Sequence, residues 1–154
     1  MAYFTRSEAD TMKFAQRLSS MLNMGDTVLL NGDLGAGKSV IARGVARGLD
    51  IQGPMPSPTF TIMIPYEGKK KLYHFDLYRL ADPDEFYAAG LDEFVGGDGV
   101  ALVEWPEMGE LEPWPALIMN IYRTDDDEVR RIEIENRGVA GYDPEALAEW
   151  RMDA

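Results

Sequence analysis

The sequence contains no cysteine and only one histidine among its 154 residues. The lack of cysteine excludes disulfides, thiolate metal sites and cysteine nucleophiles, and it fits a reducing cytoplasm, where we expect this protein to be located. No apolar run approaches the roughly 20 residues that cross a bilayer. Residues 1–10 lack the basic and apolar regions of a secretory signal. We therefore expect a protein without membrane attachment.

Basic residues are also scarce, since 15 lysines and arginines face 27 aspartates and glutamates, for a net charge of −12. A chain this acidic is repelled by bare nucleic acid and by anionic lipid. The only basic cluster, Lys69-Lys70-Lys71, falls at a predicted loop tip between two strands and indicates a solvated loop. If the function involves RNA, we expect a partner protein to hold it.

A glycine-rich loop is the most informative motif present. Residues 32–39 read Gly-Asp-Leu-Gly-Ala-Gly-Lys-Ser, the pattern of a phosphate-binding P-loop. Glycines let the backbone N–H groups turn inward around an anion, and a helix that begins near Lys38 adds its positive end. Lys38 is expected to reach the β- and γ-phosphates, and the Ser39 hydroxyl to ligate Mg²⁺. The expected cofactors are ATP and Mg²⁺, and the expected nucleotide-binding residues are Gly32, Asp33, Leu34, Gly35, Ala36, Gly37, Lys38, Ser39 and Val40.

Hydrophobic periodicity places this loop between a strand at residues 27–30 and a helix at residues 40–49. A capping box of Thr5 and Glu8 predicts an earlier helix over residues 7–22. Further strands are predicted at residues 60–64, 72–76, 100–103, 117–122 and 129–135, and further helices from Pro83 to about residue 90 and from Asp143 to about residue 152. The length suits one domain. The sequence thus predicts a single α/β domain over residues 1–154, a three-layer P-loop NTPase-like fold. Its sheet is expected to be parallel near the loop and antiparallel at the margins, with helices on both sides.

Two carboxylates end predicted strands and are candidates to complete the site. Asp76 ends Leu72-Tyr73-His74-Phe75-Asp76, and Glu104 follows the fully apolar run at residues 100–103. Because the second run is the more apolar, we expect it to lie beside the P-loop strand, with Glu104 serving the metal together with Ser39. Either carboxylate could instead cap a loop.

Three other residues near these motifs have two interpretations each. Thr59 lies where switch segments supply a threonine to the metal and the γ-phosphate, although it could be an ordinary loop residue. His74 precedes a core-type phenylalanine, which favours a structural role over a catalytic one. Trp105 could stack on a base or pack against the loop. No arginine stands out in the sequence as an arginine finger.

Four motifs occur together in one order: residues 32–39, Ser-Pro-Thr-Phe at 57–60, His-Phe-Asp-Leu-Tyr-Arg at 74–79 and Glu-Trp-Pro-Glu at 104–107. In this combination the chain resembles the TsaE family, also called YjeE, over nearly its whole length. These bacterial P-loop ATPases are needed to make threonylcarbamoyladenosine at position 37 of tRNA. Two departures are a serine at position 39, where threonine is commoner, and Ile64-Pro65, where the family is usually polar.

The resemblance implies a weak ATPase that works with the proteins TsaB and TsaD and meets tRNA only through them. It implies phosphate binding by Lys38, a metal site of Ser39 and Glu104, and a catalytic role for Thr59 and Asp76, beside Glu104, toward the γ-phosphate or the attacking water. Two alternatives stay open from the residues themselves. A P-loop small-molecule kinase would need an arginine-rich lid, which the sequence does not show. A nucleotide-gated adaptor would bind ATP without an essential hydrolysis step.

Overall fold

The strands of this chain form one mixed sheet in the computed structural model, which describes residues 1–33, 35–56, 58, 61–111 and 113–152. The strands are β1 (Ala2–Thr5), β2 (Thr27–Asn31), β3 (Met63–Tyr66), β4 (Leu72–Asp76), β5 (Val100–Glu104), β6 (Ala116–Arg123) and β7 (Arg130–Arg137). Their spatial order is β1-β7-β6-β2-β5-β4-β3. The four central strands, β6, β2, β5 and β4, run parallel. The outer pairs are antiparallel, so the predicted mixed sheet is confirmed.

Helices cover both faces of this sheet, which confirms the predicted three-layer α/β fold. The α-helices are α1 (Glu8–Ser19), α2 (Lys38–Gly48) and α3 (Pro83–Ala88), and 3₁₀ helices span Leu91–Phe94, Pro106–Gly109 and Pro144–Trp150. Successive strand residues point to opposite faces. Val28 and Leu30 therefore join the core under α1 and α2, whereas Leu29 joins the core under α3. Among the described residues, no helix is both long and apolar enough to cross a membrane.

The ends of the chain differ most from the sequence-based expectation. Residues before α1 form the strand β1, which pairs with β7. Thr5, at its end, is buried, and its Oγ1 lies 2.6 Å from that of Thr11. The helix is capped instead by Ser7, whose Oγ accepts a hydrogen bond from the Asp10 N–H, so the predicted Thr5–Glu8 capping box is wrong. The final predicted helix is a 3₁₀ helix. The strand predicted at residues 60–64 begins later, at Met63.

Helices α1 and α2 approach closely at two glycines of α2. A Cβ atom on Gly44 would lie 2.5 Å from the Ala15 Cβ and 2.8 Å from the Met12 carbonyl oxygen, and Gly48 is equally crowded by α1. This contact fixes how α2, and therefore the glycine-rich loop at its start, sits on the sheet. Local sequence periodicity does not reveal such a pairing.

Replacing Gly44 with alanine is expected to lower the free energy of unfolding by about 1–3 kcal/mol, because the added methyl group overpacks the contact between α1 and α2. Alanine is the better helix former, so helix propensity alone would predict the opposite sign. Urea denaturation measures the change. Lys13→Ala, at an exposed position of α1, is the control. A Gly44→Ala protein as stable as the control would contradict the packing described above.

Candidate functional site

The candidate site lies where the four parallel strands end. In parallel register, Leu30 of β2 pairs with Glu104 of β5, and Glu104 pairs with Asp76 of β4. The glycine-rich loop leaves β2 one residue beyond its last residue, Asn31. Ligands of open α/β sheets bind outside the carboxyl ends of parallel strands. The predicted neighbouring position of β5 and β2 is confirmed, and both candidate carboxylates lie at the edge that carries the loop.

The backbone of the loop adopts conformations that require glycine. Gly35 has φ +80° and Gly37 has φ +114°, a region that side chains strongly disfavour. Gly32 is needed for a different reason, since a Cβ there would lie 2.6 Å from the Ile121 side chain of β6. Leu34, predicted to bind nucleotide, lies outside the described residues. The glycine spacing found in the sequence therefore corresponds to two left-handed residues and one close approach to a neighbouring strand.

Helix α2 begins directly after this loop with Gly37 as its N-cap, and no side chain caps it. The first N–H groups of a helix have no partner within the helix and carry a partial positive charge, so they attract anions. Lys38 and Ser39 are the first two residues of the helix. The Lys38 side chain is buried, with 7% of its surface exposed. A buried cation beside unfilled helix N–H groups is the arrangement expected of a phosphate site.

Trp105 packs over this lysine. The Lys38 Nζ atom lies 4.0 Å from the centroid of the indole ring, within the range of a cation–π contact. Tyr78 also packs against Trp105, with its ring centroid 5.0 Å from that of the indole. Trp105 has φ +56°, a strained conformation for a bulky residue of the kind that clusters at functional sites. Of the two interpretations left open for Trp105, the structure shows contact with the loop lysine.

A cavity of about 170 Å³ brings the predicted metal and catalytic residues together. Ser39, His74, Asp76 and Glu104 line it, beside Arg43 and the proline-rich segment that precedes β3. Asp76 and Glu104 are 7% and 9% exposed, and Asp76 Oδ1 accepts a hydrogen bond of 3.0 Å from the Tyr78 N–H. Thr59, the third predicted catalytic residue, lies outside the described residues. Within the described part of the chain, the structure thus gathers Ser39 and both carboxylates around one space.

Two further cavities flank the loop, and most of the other predicted nucleotide-binding residues line one or the other. One, of about 280 Å³, is lined by Glu8, Thr11, Gly35, Gly37, Ser39, Val40, Asp127, Glu128 and Arg130. The other, of about 220 Å³, includes Gly32, Asp33, Lys38 and Trp105. Ala36, also in the loop, is buried, with 1% of its surface exposed. Ser39 lines both the 280 Å³ cavity and the carboxylate cavity, and so connects them.

Two arginines beside the loop were missed by sequence reasoning. Arg130 Nε donates a 2.7 Å hydrogen bond to the Ala36 carbonyl, and the Arg123 guanidinium lies 3.1 Å from where a Cβ on Gly35 would be. Arg123 ends β6 and Arg130 begins β7. Because β6 runs parallel beside β2, the turn between β6 and β7 lies at the end of the sheet that carries the glycine-rich loop. Only the strand order could have revealed them. The cavity that Arg130 lines also contains Glu8, Asp127 and Glu128, so the arginines partly offset the acidic side chains around the loop.

The donor set also fits a magnesium ion held largely by water and phosphate. Across the described residues, no group of three or more histidine, cysteine or carboxylate side chains forms a complete metal cage. Mg²⁺ usually keeps several waters and binds through one or two carboxylates together with substrate phosphates. Ser39, Asp76 and Glu104 around one cavity supply oxygen donors of this kind.

Comparison with known proteins identifies one family by sequence and a similar solved structure over nearly the whole chain. The family model described as "Threonylcarbamoyl adenosine biosynthesis protein TsaE" matches residues 5–133. The tRNA threonylcarbamoyladenosine biosynthesis protein TsaE of Haemophilus influenzae is 37% identical over 141 residues, covering 87% of this chain and 88% of that protein. The protein of the same name from Bacillus subtilis is 42% identical over 126 residues, covering 80% and 78%.

A crystal structure of Bacillus subtilis YdiB superposes with a TM-score of 0.78 at 34% identity, covering 97% of this chain and 92% of that one. The family model includes the glycine-rich loop and both strand-end carboxylates, and the structural match covers nearly all of the chain. The chain therefore belongs to the TsaE family.

Proposed function

We propose that this chain is a magnesium-dependent ATPase of low intrinsic rate that acts in the synthesis of threonylcarbamoyladenosine in tRNA. The observation that carries the proposal is the single constellation at the sheet edge. It comprises a loop with two left-handed glycines, a buried Lys38 at the start of α2, and Ser39 facing a cavity shared with Asp76 and Glu104. The family relationship supplies the tRNA-modification context.

The nucleotide is proposed to lie along the loop, with its phosphates at the start of α2. Lys38 would neutralise charge on the β- and γ-phosphates, and the loop N–H groups would hold the remaining oxygens. The 280 Å³ cavity on the side of Arg130 has space for the nucleoside. Arg130 would act indirectly, since its hydrogen bond to the Ala36 carbonyl holds the shape of the loop.

Ser39 and Glu104 are proposed to hold Mg²⁺, which would neutralise charge on the phosphate oxygens. Asp76 lines the same cavity, and its Oδ1 accepts a hydrogen bond from the Tyr78 N–H. It is proposed to orient the attacking water and accept its proton, and Thr59 is proposed to assist. The carboxylates are withdrawn from bulk solvent, which strengthens their interactions with charged groups.

We propose a low intrinsic rate because the arginines near the site are held by other contacts. Arg43, which lines the carboxylate cavity, pairs through Nη2 with Glu8 at 3.1 Å. The Nε and Nη1 atoms of Arg130 donate hydrogen bonds to the carbonyl groups of Ala36, Asp127 and Val129. Arg123 lies against Gly35 and is not among the described residues that line the cavity with Asp76 and Glu104. A group that stabilises transition-state charge, such as an arginine finger, contributes about 10³–10⁵ in rate. We propose that the partners TsaB and TsaD supply it or reorder the site, and that they also carry the contact with tRNA, since this chain has a net charge of −12.

The test is single-turnover ATP hydrolysis by the purified chain, alone and with the TsaB–TsaD pair. We expect slow, magnesium-dependent hydrolysis alone and acceleration of at least tenfold with the pair. Mixing with either partner singly is the control for nonspecific activation. Tight ATP binding with no hydrolysis under any condition would refute an ATPase and favour the nucleotide-gated adaptor. Phosphate transfer to a small molecule would favour the kinase.

A further inference from the structure

His74, the only histidine of the chain, makes a buried hydrogen bond to one of the candidate metal ligands. Its Nε2 atom lies 2.7 Å from Oε2 of Glu104, and the two side chains are 6% and 11% exposed. The pair lies near the carboxyl ends of the neighbouring parallel strands β4 and β5. A contact between these two residues is not evident from the sequence, where they are 30 positions apart.

Strand geometry explains why the two side chains meet. Residues two apart along a strand point to the same face, so His74 and Asp76 share the face of β4 that is turned toward α2. Phe75 points the other way, into the core under α3. Glu104 lies in register with Asp76 on the neighbouring strand. His74 therefore lies two residues before Asp76 on the same face of β4, and it lines the same cavity as Asp76 and Glu104.

The metal-binding role proposed for Glu104 requires its carboxylate to be ionised. An ionised carboxylate only accepts hydrogen bonds, so in that role Nε2 of His74 is the donor. That bond engages Oε2 of Glu104, and Oε1 accepts no hydrogen bond from the described part of the chain. The other ring nitrogen, Nδ1, is buried and has no hydrogen-bond partner within the described part of the chain. A histidine that served only to fill the core would leave this nitrogen unsatisfied at a cost, and a phenylalanine or leucine would fill the space without it.

We propose that His74 is a positioning residue, whose Nε2–H holds the Glu104 carboxylate in the orientation that serves the metal–nucleotide complex. The inference rests on the proposed function, because it assigns Glu104 to that complex. Partners that hydrogen-bond to a metal-binding side chain fix its orientation, and removing them typically weakens metal affinity or activity by about 10- to 100-fold. His74 does not touch the nucleotide in this account and acts only through Glu104.

Two substitutions separate the donor from the ring. In glutamine the amide nitrogen is the same number of bonds from Cβ as Nε2 of histidine, so His74→Gln keeps a donor within reach of Glu104. In asparagine the amide nitrogen corresponds instead to Nδ1, so His74→Asn keeps a polar side chain but loses the donor to Glu104. A purely structural histidine would tolerate both changes equally or neither, whereas a positioning residue tolerates only glutamine.

The experiment is calorimetric titration of the full chain with the non-hydrolysable analogue AMP-PNP, in excess Mg²⁺ and in EDTA. The ratio of the two dissociation constants reports the contribution of the metal. We expect the original chain and His74→Gln to agree within about threefold in this ratio. We expect His74→Asn to lose about 10- to 100-fold in it, while its affinity in EDTA and its melting temperature stay close to those of His74→Gln.

A second comparison tests whether the effect passes through Glu104. In a Glu104→Gln background, the further change His74→Asn should leave the magnesium ratio unaltered, because the group that His74 positions is already lost. An undiminished ratio in His74→Asn alone, or an equal loss in His74→Gln, would overturn the inference about His74. Neither result would contradict the proposed binding of the nucleotide. If the original chain bound AMP-PNP equally well in Mg²⁺ and EDTA, or not at all, the proposed metal–nucleotide function would fail and the inference with it.

Discussion

Replacing Lys38 with alanine is expected to weaken ATP binding by roughly 30- to 1000-fold. This corresponds to about 2–4 kcal/mol, the usual cost of truncating one partner of a buried charge pair. The lysine is buried beside the open start of α2, and the only contact observed for its ammonium group in the described part of the chain is with the Trp105 ring. Phosphate would replace that contact with a full opposite charge. Titration with ATP in Mg²⁺ measures the loss.

The stability of the Lys38→Ala protein provides the complementary observation. The substitution removes a cation–π contact but also removes a charge from a buried position, and these two contributions oppose each other. We therefore expect the free energy of unfolding to change by no more than about 1 kcal/mol. Lys13→Ala, on the exposed surface of α1, should bind ATP normally. ATP affinity within threefold of normal in Lys38→Ala would place the phosphates elsewhere.

Replacing Glu104 with glutamine is expected to reduce the rate of ATP hydrolysis by about 10²- to 10³-fold, the range seen when one preorganised polar group is removed from an active site. Glutamine keeps the size of the side chain and can still accept the hydrogen bond from His74, so the change removes the charge without emptying the cavity. Binding of ATP in EDTA should stay within about threefold, because no metal contributes under that condition. Single-turnover hydrolysis and equilibrium binding measure the two quantities.

Glu93→Gln is the matched control, since Glu93 is an exposed glutamate on the 3₁₀ helix that precedes β5. Its rate should equal that of the original chain. Equal rates in both variants would exclude Glu104 from the reaction. If Glu104→Gln failed to hydrolyse ATP but still supported tRNA modification with the partner proteins, hydrolysis would be dispensable and the adaptor hypothesis would be preferred.

Most of the central sheet could be predicted because its strands are short, apolar and bounded by clear turn signals. The apolar run at residues 100–103 predicted that β5 is buried and lies beside the P-loop strand, and both are observed. The glycine-rich loop could be located to the residue, since Gly35 and Gly37 adopt left-handed conformations that strongly favour glycine. These features depend mainly on local conformation and hydrophobicity, which can be predicted from the residue types.

What the sequence could not predict depends on contacts between distant segments. Arg130 reaches the loop because β6 lies beside β2, and nothing in the sequence of β6 specifies that neighbour. The contact between His74 and Glu104 could not be predicted, because the two residues belong to different strands. The strand β1 was missed because its pairing with β7 bridges almost the whole length of the chain.

The most direct test of the account is a crystal structure of this chain with Mg²⁺ and AMP-PNP. We predict the β- and γ-phosphates within hydrogen-bonding distance of Lys38 Nζ and of the N–H groups at the start of α2. We predict the metal on Ser39 Oγ, with Glu104 and Asp76 in contact with the metal or with its water molecules. A nucleotide bound away from the loop, or a metal with neither carboxylate within reach of it or its waters, would contradict the central claim.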